Sequence, residues 1–344
     1  MQRRKQKIIW RVVVSILILF YVTCYIGYDA VLNGHEGIYN YGSEVTMPAD
    51  HTLRVSFLDV GQGDAILVQE GDSTMLIDAG DNEHGERVVV YLKEHGIGKL
   101  DYLLLTHPDA DHIGGADDVL ENLEVSQVLM TEVPNDTKSY RDVLWEFAAE
   151  ESLIRQPKIG EVYTLEKARF KILAPEKEYL DENDCNDASI GIKLTYGDNS
   201  FLMCGDAEEK SESAMVKRFG KELECDVLKC NHHGSYTATS EAFLNAADPS
   251  WAVISCGKDN SYGHPHKAVL ERLYEADVQV YRTDELGTII VESDGKNLRF
   301  GQENNKTLQD EDKTKDRISH NRDTRSLCNV VICFLYEIGP KPLK

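Results

Sequence analysis

Short apolar runs bounded by glycine and aspartate recur along the first half of the chain. Their length and composition predict β-strands, and Gly71-Asp72 between two of them predicts a hairpin turn. The uninterrupted apolar run Tyr102–Thr106 is typical of a strand buried on both faces. Helical periodicity predicts helices at Glu86–His95, Ile113–Leu123 and Tyr140–Glu150. The predicted strands are Leu53–Leu58, Ala65–Gln69, Thr74–Ile77, Tyr102–Thr106, Val125–Met130, Glu161–Leu165 and Phe170–Leu173.

The second half of the chain repeats this scheme with different residues. The repetition predicts that each half forms a sheet and that the two sheets pack face to face with helices outside. The predicted fold class is therefore α/β, a four-layer αββα sandwich. The predicted helices are Glu208–Phe219, Ser240–Ala247 and His266–Glu275. The predicted strands are Ile190–Tyr196, Phe201–Cys204, Val227–Cys230, Trp251–Cys256, Val278–Tyr281, Thr288–Glu292 and Leu298–Phe300.

The N-terminal segment predicts a membrane anchor. Residues 1–7 are basic, and Val12–Tyr28 is a run of 17 residues without charge, about the lower limit for a spanning helix. Because basic residues precede this run and none follows closely, we expect a single-pass signal anchor at residues 1–28, with the N-terminus in the cytoplasm and the body outside the cell. A cleaved signal peptide is the alternative, but no small-x-small cleavage site follows the run.

The remaining segments divide by composition. Residues 29–51 are rich in glycine, tyrosine and asparagine and are predicted to form a tether. Residues 52–301 are predicted to be the folded domain. Residues 302–344 are polar, with mixed charge, and are predicted to be a disordered tail. Its short apolar end, Cys328–Ile338, has eleven residues and is too short to span a membrane.

Charge narrows the classes of function. The formal net charge is −22, and residues 31–300 alone contain 24 Lys and Arg against 51 Asp and Glu, a net charge of −27. Such a body repels polyanions unless a local basic patch or a bound cation reverses the field. The acidic charge therefore excludes a general nucleic-acid-coating protein. The eight cysteines show no CxxC spacing, which argues against a zinc ribbon or a thioredoxin motif.

Four side chains that can bind metal lie within six residues after the strand predicted at Tyr102–Thr106: His107, Asp109, Asp111 and His112. The carboxyl ends of strands are where open α/β sheets bind ligands. His107 and Asp109 are two apart in an extended segment and therefore point the same way. So many polar groups after a buried strand are costly unless they have partners. We interpret the cluster as a metal site; a solvated loop in which Asp111 caps the next helix is the alternative.

Aspartate and histidine also follow two further predicted strands. Asp206 follows the strand predicted at Phe201–Cys204, where a carboxylate can bridge two cations or cap the next helix. His232 and His233 follow the strand predicted at Val227–Cys230, and one of the two is expected to be a metal ligand.

Together these motifs resemble a known family. The cluster His107–His112 resembles the HxHxDH signature of the metallo-β-lactamase superfamily in the form HxDxDH, with Asp109 at the second His position. Over residues 53–300 the ordered set of motifs resembles the extracytoplasmic domain of the ComEC group of DNA-uptake competence proteins. The family's transport channel needs many membrane spans and this chain offers one, so DNA translocation is not carried over. The set comprises Phe57–Ala65, Leu76–Gly80, His107–His112, Gly205–Asp206, Asn231–Ser235 and Gly263–Pro265.

The resemblance implies a site for two divalent metal ions. Because Asp109 makes the ligand set richer in oxygen than three imidazoles, Mn²⁺ becomes credible beside Zn²⁺. Asp111 and His264 are the predicted catalytic residues, and His264 would protonate the leaving oxygen, clamp a phosphate or act as the last metal ligand. The implied metal ligands are His107 and Asp109 for one ion, Asp111, His112 and His232 for the other, and Asp206 between the two.

Further positions are expected to support these ligands or to contact the substrate. Asp78 would hold the His/Asp loop by hydrogen bonds. Asn186 and Ser189 match the position where the family has a polar residue in place of a third metal-binding histidine. For Lys229 a solvated lysine at the end of a strand is the favoured interpretation, and balancing a carboxylate or a phosphate is the alternative. Ordinary turns are the alternatives for several others. The full set is Asp64, Asp78, Asn186, Ser189, Lys229, His233 and Ser235.

The resulting hypothesis is a membrane-anchored, outward-facing hydrolase in which a pair of metal ions activates water. The resemblance implies a phosphodiester substrate, with single-stranded DNA as the family's expected case. A cell-surface phosphodiesterase acting on phosphocholine or teichoic acid is the alternative within the same fold. A non-catalytic, metal-stabilised binding module is the alternative from another class. The membrane is the other predicted partner, through the N-terminal helix, and the sequence identifies no protein partner.

Overall fold

The computed structural model describes residues 52–147, 154–181 and 185–303, in which strands alternate with short helices. The strands are β1 Leu53–Phe57, β2 Ile66–Glu70, β3 Ser73–Ile77, β4 Lys99–Leu100, β5 Tyr102–Leu105, β6 Glu124–Val125, β7 Val128–Met130, β8 Ile154–Arg155, β9 Val162–Thr164, β10 Arg169–Ala174, β11 Gly191–Tyr196, β12 Asn199–Met203, β13 Val227–Lys229, β14 Trp251–Ile254, β15 Gln279–Arg282, β16 Thr288–Ser293 and β17 Leu298–Glu303. The helices are α1 Gly85–Glu94, α2 Ala110–Ile113, α3 Ala116–Asn122, α4 Lys138–Phe147, α5 Lys177–Asp181, α6 Glu209–Phe219, α7 Glu241–Ala247, α8 Lys267–Glu275 and α9 Thr283–Leu286, with 3₁₀ turns at Gly220–Leu223 and Asn231–Gly234.

The described strands form two large sheets and a two-stranded ribbon. The first sheet has the order β17-β16-β1-β2-β3-β5-β7-β8, the second has the order β15-β14-β13-β12-β11-β10-β9, and β4 pairs with β6. Strands β3, β5, β7 and β8 run parallel in the first sheet, and β12 to β15 run parallel in the second. Because parallel strands end at the same edge, the residues after β3 and β5 are neighbours, as are those after β12 and β13.

The two sheets pack face to face. Tyr102 of β5 contacts Phe170 of β10 edge-on with ring centroids 5.2 Å apart, and Trp251 of β14 lies 5.4 Å from Phe300 of β17. Alternate residues on the outer face of the first sheet, such as Leu103, join a core with α1, α3 and α4. The outer face of the second sheet forms a core with α6, α7 and α8. The α/β sandwich predicted from the sequence is confirmed.

Two predicted elements are divided in the structure. The helix predicted at Ile113–Leu123 begins earlier and is broken into α2 and α3 at Gly114-Gly115. Close packing requires glycine there, because a Cβ on Gly115 would lie 2.4 Å from the carbonyl oxygen of Ala79. The strand predicted at Val125–Met130 consists of β6 and β7, which join different sheets. Helices α5 and α9 were not predicted, since each is too short to show a clear period.

The predictions for the ends of the chain fall outside the described residues. This applies to the anchor at residues 1–28, the tether at 29–51 and the tail, except that Gln302 and Glu303 belong to β17. Among the residues that the structure describes, no helix combines the length and the apolar character needed to cross a bilayer. The anchor, the tether and the disordered tail therefore stay predictions.

Candidate metal centre

The loop after β5 supplies the first ligand-type side chains. His107 follows the strand and His112 lies in α2, and their ring centroids are 4.1 Å apart. Both imidazoles are buried, whereas the side chains of Asp109 and Asp111 are 40% and 33% exposed. Asn135, which the sequence analysis missed, donates a hydrogen bond of 3.2 Å to Asp109. The motif therefore folds with its imidazoles inside and its carboxylates at the opening.

Asp78 fixes the orientation of His112. Its carboxylate accepts hydrogen bonds from the amide and hydroxyl of Thr106, at 2.8 and 2.7 Å, and from Nδ1 of His112 at 2.8 Å. Because Nδ1 is engaged in this way, Nε2 of His112 is the atom that faces the centre of the site. These are the hydrogen bonds that the sequence predicts for Asp78, and they join the ends of β3 and β5.

Asp206 faces the imidazoles from the second sheet. Its Oδ1 lies 3.2 Å from Nε2 of His112, while its Oδ2 lies 3.3 Å from Nε2 of His233 and 3.6 Å from Nε2 of His232. The backbone approaches the first sheet closely here, because Gly205 has φ 54° and a Cβ on it would lie 2.9 Å from the side chain of Thr106. A carboxylate with an imidazole at each oxygen is suited to the bridging role that the sequence predicts.

His233 lies at the centre of the site. It belongs to the 3₁₀ turn after β13, with φ 53°, and its ring is buried. Its Nδ1 donates to the carbonyl oxygen of Ser255 at 3.0 Å, and its Nε2 lies 3.3 Å from Oδ2 of Asp111 as well as from Asp206. The hydrogen bond at Nδ1 directs Nε2 toward both carboxylates. The geometry therefore favours His233 as a metal ligand.

His232 lies at the exposed side of the same turn, with φ 48°. Its side chain is 22% exposed, and its Nδ1 donates to Glu208 at 3.0 Å. The sequence analysis gave the ligand role to His232 and a supporting or turn-forming role to His233. The structure brings both rings near Asp206 but places His233, rather than His232, between Asp206 and Asp111.

Four side chains meet at the centre, with one ligand atom from each within 4.8 Å of the others: Asp111, His112, Asp206 and His233. His107 lies beside them, with Nε2 3.8 Å from Oδ2 of Asp109. In the described part of the chain, Nε2 of His107 is buried without a hydrogen-bond partner, and the buried Oδ1 of Asp206 has an ion-pair contact with His112 but no hydrogen bond. Buried polar atoms without partners are rare and costly. A cation would satisfy both atoms, and the mixed nitrogen and oxygen donors fit Zn²⁺ or Mn²⁺.

Opposite charges decide which groups at the centre are ionised. Burial alone would raise the pKa of Asp206, but the positive charges of His112 and His233 hold it well below its ordinary value. Burial likewise disfavours charge on the two imidazoles, but the carboxylate of Asp206 raises the pKa of His233 to about 9 and that of His112 well above its ordinary value. Binding of a metal ion would therefore displace protons from the imidazoles of His112 and His233.

His107 shows the opposite behaviour. Burial and the positive charge of His112 lower the pKa of His107 to about 3. Its ring is therefore neutral at physiological pH and has a lone pair to offer without losing a proton. This protonation state suits a metal ligand.

A buried ion pair lies behind the centre. Lys229 of β13 is fully buried and pairs with Asp64, and its Nζ lies 3.9 Å from Oδ1 of Asp206. Burial opposes charge on Lys229, but the carboxylates of Asp64 and Asp206 raise its pKa. Asp64 also lies 3.9 Å from Nδ1 of His112 and 3.7 Å from Nδ1 of His233. The interpretation of Lys229 as a solvated lysine, which the sequence favoured, is therefore wrong.

Three other predicted residues lie around the centre without joining it. The hydroxyl of Ser189 accepts a hydrogen bond of 3.1 Å from the amide of Asp206. The side-chain amide of Asn186 donates to Glu208 at 3.4 Å. Ser235 is buried and bonded within its own turn. Ser189 and Asn186 thus support the ligand loops, and Ser235 has the turn-forming role that was its alternative.

Sequence reasoning missed two glutamates that hold these loops. Glu208 precedes α6 and binds His232, as described above. Glu212, in the first turn of α6, is buried and accepts a hydrogen bond of 2.8 Å from the side chain of Asn231 and another of 2.8 Å from the amide of Ser240. Acidic residues in a first helical turn are ordinarily explained by the helix dipole. The position of both glutamates directly after Asp206 was the signal that could have found them.

His264 lies outside the central group. Its ring centroid is 5.6 Å from that of His232 and 6.3 Å from that of His233, and its Nδ1 lies 3.5 Å from Nε2 of Gln62. Burial and the positive charges of the neighbouring histidines lower its pKa to about 4. The ring is therefore uncharged at neutral pH, which favours hydrogen bonding over proton donation. His264 also lines a cavity of about 590 Å³.

A family model covers most of this site. Residues 58–258 match the model described as the metallo-beta-lactamase superfamily, and the match includes the cluster after β5, Asp206, His232 and His233. The chain belongs to the metallo-β-lactamase superfamily. The HxDxDH motif of residues 107–112 lies within the matched segment.

Three curated relatives are similar to this chain. ComE operon protein 3 of Bacillus subtilis is 35% identical in an alignment of length 259 that covers 68% of this chain and 32% of that protein. Recombination protein 2 of Haemophilus influenzae is 33% identical over 70% of this chain and 29% of its own length, and competence protein ComA of Neisseria gonorrhoeae is 30% identical over 70% and 32%. This chain spans about a third of the length of these relatives. The resemblance to ComEC-like competence proteins is confirmed.

Proposed function

We propose that this chain is a binuclear metal-dependent phosphodiesterase. The observation that best supports the proposal is the convergence of ligand side chains from both sheets. One ligand atom each of Asp111, His112, Asp206 and His233 lies within 4.8 Å of the others, beside the buried and unpartnered Nε2 of His107. In this proposal His107 and Asp109 hold one ion, and Asp206 faces both. The other ion is held by three residues of the central group: Asp111, His112 and His233.

The chain's own residues prepare this site for hydrolysis. When bound, two divalent cations supply positive charge for phosphate oxygens and a nucleophile from water at neutral pH. Asp78 and the carbonyl of Ser255 orient the imidazoles of His112 and His233 through their Nδ1 atoms. The side chain of Asp109 is 40% exposed, so the metal centre is open to solvent on this side, and a phosphodiester enters there. His264, uncharged and beside this opening, is placed to donate a hydrogen bond to the substrate.

We propose single-stranded DNA as the substrate. The relatives include proteins named for competence and recombination, both of which concern DNA. The net charge of −27 on residues 31–300 means that an anionic substrate needs positive charge at the site, which two divalent cations provide. Both considerations favour a phosphodiester whose phosphate is bound at the metal centre.

Hydrolysis of bis(p-nitrophenyl) phosphate tests the proposed reaction. The full chain in detergent is stripped of metal, reloaded with Mn²⁺ or Zn²⁺, and analysed for metal content. We expect nitrophenol release that depends on the metal. If the protein holds metal but shows no turnover, the phosphodiesterase is refuted, and the chain is instead a non-catalytic binding module.

A substrate panel then separates the two classes of phosphodiester. Activity is compared on a single-stranded oligonucleotide and on phosphocholine esters. We expect preference for the oligonucleotide. Preference for the phosphocholine esters would contradict the proposed nuclease and support a cell-wall phosphodiesterase.

We further propose that the catalytic domain is anchored to the cell membrane and faces outward. The uncharged run Val12–Tyr28, preceded by basic residues, supports this proposal. Removal of residues 1–30 should yield soluble, active protein, whereas the full chain should sediment with membranes. Protease added to intact cells should cleave the full chain. Full protection from protease in intact cells would contradict the outward orientation.

A further inference from the structure

Three aromatic rings lead outward from the metal centre. The ring planes of His233 and His264 differ by 29° with centroids 6.3 Å apart, and those of His264 and Tyr262 differ by 22° with centroids 5.6 Å apart. His233 contacts the carboxylates of the central group, whereas Tyr262 is 65% exposed. This ring column, His233-His264-Tyr262, therefore begins at the metal ligands and ends with an aromatic side chain open to solvent.

The loop that contains Tyr262 is held in place by Asn260. The side-chain amide of Asn260 donates to the carbonyl oxygens of Gly257 and His264, at 2.8 and 2.6 Å, and its Oδ1 accepts from the amide of His264 at 3.0 Å. These bonds join both ends of the loop. Lys258 and Asp259 on the same loop are both exposed and line the cavity beside His264, so their charges offset each other. The loop thus presents an aromatic ring without net positive charge next to the site.

We propose that Tyr262 is a base-stacking subsite for single-stranded nucleic acid. One nucleobase continues the ring column on Tyr262, while the phosphodiester beside it enters the metal centre. This inference rests on the proposed phosphodiesterase function and adds the group by which the substrate is held. Stacking on an aromatic side chain accepts any base, because every base has a π-face.

The charge of the domain supports this mode of binding. Proteins that bind single strands ordinarily combine a basic groove with aromatic platforms. Here the body is strongly acidic, so attraction to phosphates away from the metal centre is weak. Binding of a polyanion therefore depends more heavily on contacts that do not involve charge. Bases in a duplex are already stacked and paired, so the subsite favours single strands.

The geometry fits a planar base better than a quaternary ammonium group. Such cations are held in cages of several aromatic rings. The other exposed tyrosine near the site, Tyr236, meets His266 edge-on, with ring planes 71° apart and centroids at 5.0 Å. It does not continue the ring column. The outer end of the column is the ring of Tyr262, which offers one face on which a base can stack.

Equilibrium binding tests the subsite. The full chain, loaded with Mn²⁺, is titrated into a labelled phosphorothioate oligothymidylate, which resists hydrolysis, and into an abasic strand of the same length. Tyr262→Ala should weaken binding of the oligothymidylate about 5- to 150-fold, which corresponds to about 1–3 kcal/mol for one base, and should leave binding of the abasic strand unchanged. Tyr262→Phe keeps the ring and should bind normally. Tyr274→Ala is the matched control, since Tyr274 is a tyrosine of α8 that is 52% exposed.

Each outcome supports or overturns the subsite. Unchanged binding by Tyr262→Ala, equal losses on both strands, or no preference of the unsubstituted protein for bases would overturn it. Binding of phosphocholine that depends on Tyr262, without preference between the strands, would overturn it in favour of a cation site. Base-dependent binding without hydrolysis of bis(p-nitrophenyl) phosphate would support the subsite and refute the phosphodiesterase, so the two failures are distinguishable.

Discussion

The metal centre has two parts that differ in exposure and in the way their charges are balanced. In the buried part, which we call the floor, no side chain is more than 4% exposed. In the outer part, which we call the rim, side chains are between 22% and 40% exposed. The floor consists of Asp64, Asp78, His107, His112, Asp206, Lys229 and His233. The rim consists of Asp109, Asp111, Glu208 and His232.

The difference in exposure indicates that the floor and the rim have different roles. Within the floor, carboxylates lie against imidazoles and a buried lysine, so loss of one member leaves another charge buried without its partner. Such losses are costly, because the interior cannot solvate the remaining charge. At the rim, water reaches the side chains and screens their charges. Substitutions in the floor should therefore lower the stability of the fold as well as metal binding, whereas those at the rim should cost little stability, even at the proposed ligands Asp109 and Asp111.

The largest effect is expected at Asp206. Asp206→Asn keeps the shape of the side chain but removes the charge that faces His112 and His233. Turnover should fall more than about 100-fold, since even residues that only support metal ligands cost 10- to 100-fold. Binding of both metal ions should weaken while the fold is retained. Turnover, metal stoichiometry and circular dichroism are measured together, and retained activity would show that Asp206 does not lie between the ions.

Among these substitutions, the loss of Lys229 should lower the free energy of unfolding most. Lys229→Met keeps the length of the side chain but leaves Asp64 without its buried partner, and the free energy of unfolding of the metal-free protein should fall by about 3–5 kcal/mol. Urea denaturation measures the loss. The double variant Lys229→Met with Asp64→Asn removes both charges and should recover part of it. A loss below about 1 kcal/mol, the size expected of a surface pair, would contradict the division between floor and rim.

A smaller effect is expected at Asp78. Asp78→Asn keeps an acceptor for Thr106 but weakens the hydrogen bond that orients His112, so metal affinity should fall about 10- to 100-fold. Metal titration measures the change. Asp81→Asn is the matched control, because Asp81 forms a similar pair with His84, at 2.6 Å, that is 34% exposed at the carboxylate and outside the metal centre. Equal changes in the two variants would show that Asp78 has no specific role.

Much of this site was predictable because its residues follow apolar strands directly. A buried run ends at Thr106, and metal-binding residue types begin at His107. The same pattern marks Asp206 and the histidine pair after β13. Parallel strands bring these ends to one edge of each sheet, so residues far apart in sequence meet. The αββα sandwich and the residues of the centre were therefore visible in the order of apolar and polar segments.

The details that were not predictable depend on contacts between distant segments. Lys229 ends an apolar strand, as many solvated lysines do, and only its contact with Asp64, from the loop before β2 of the other sheet, explains its burial. The break between α2 and α3 depends on the packing of Gly115 against Ala79. Which of two adjacent histidines points inward depends on the backbone angles of a 3₁₀ turn, which the residue types of the pair do not specify.

The smallest effect is expected at His232, and comparison with its neighbour His233 tests the border between floor and rim. His232→Asn removes an exposed ring held by Glu208 and should reduce turnover less than about 10-fold, below the range for buried partners of ligands. His233→Asn removes the ring nitrogen between Asp111 and Asp206 and should lower metal affinity as strongly as the loss of a ligand. Comparison of kcat, KM and metal content in the two variants measures the difference. If His232→Asn proved the one that lost metal, the ligand role predicted from sequence would be right, and the border would lie one residue away from where the geometry puts it.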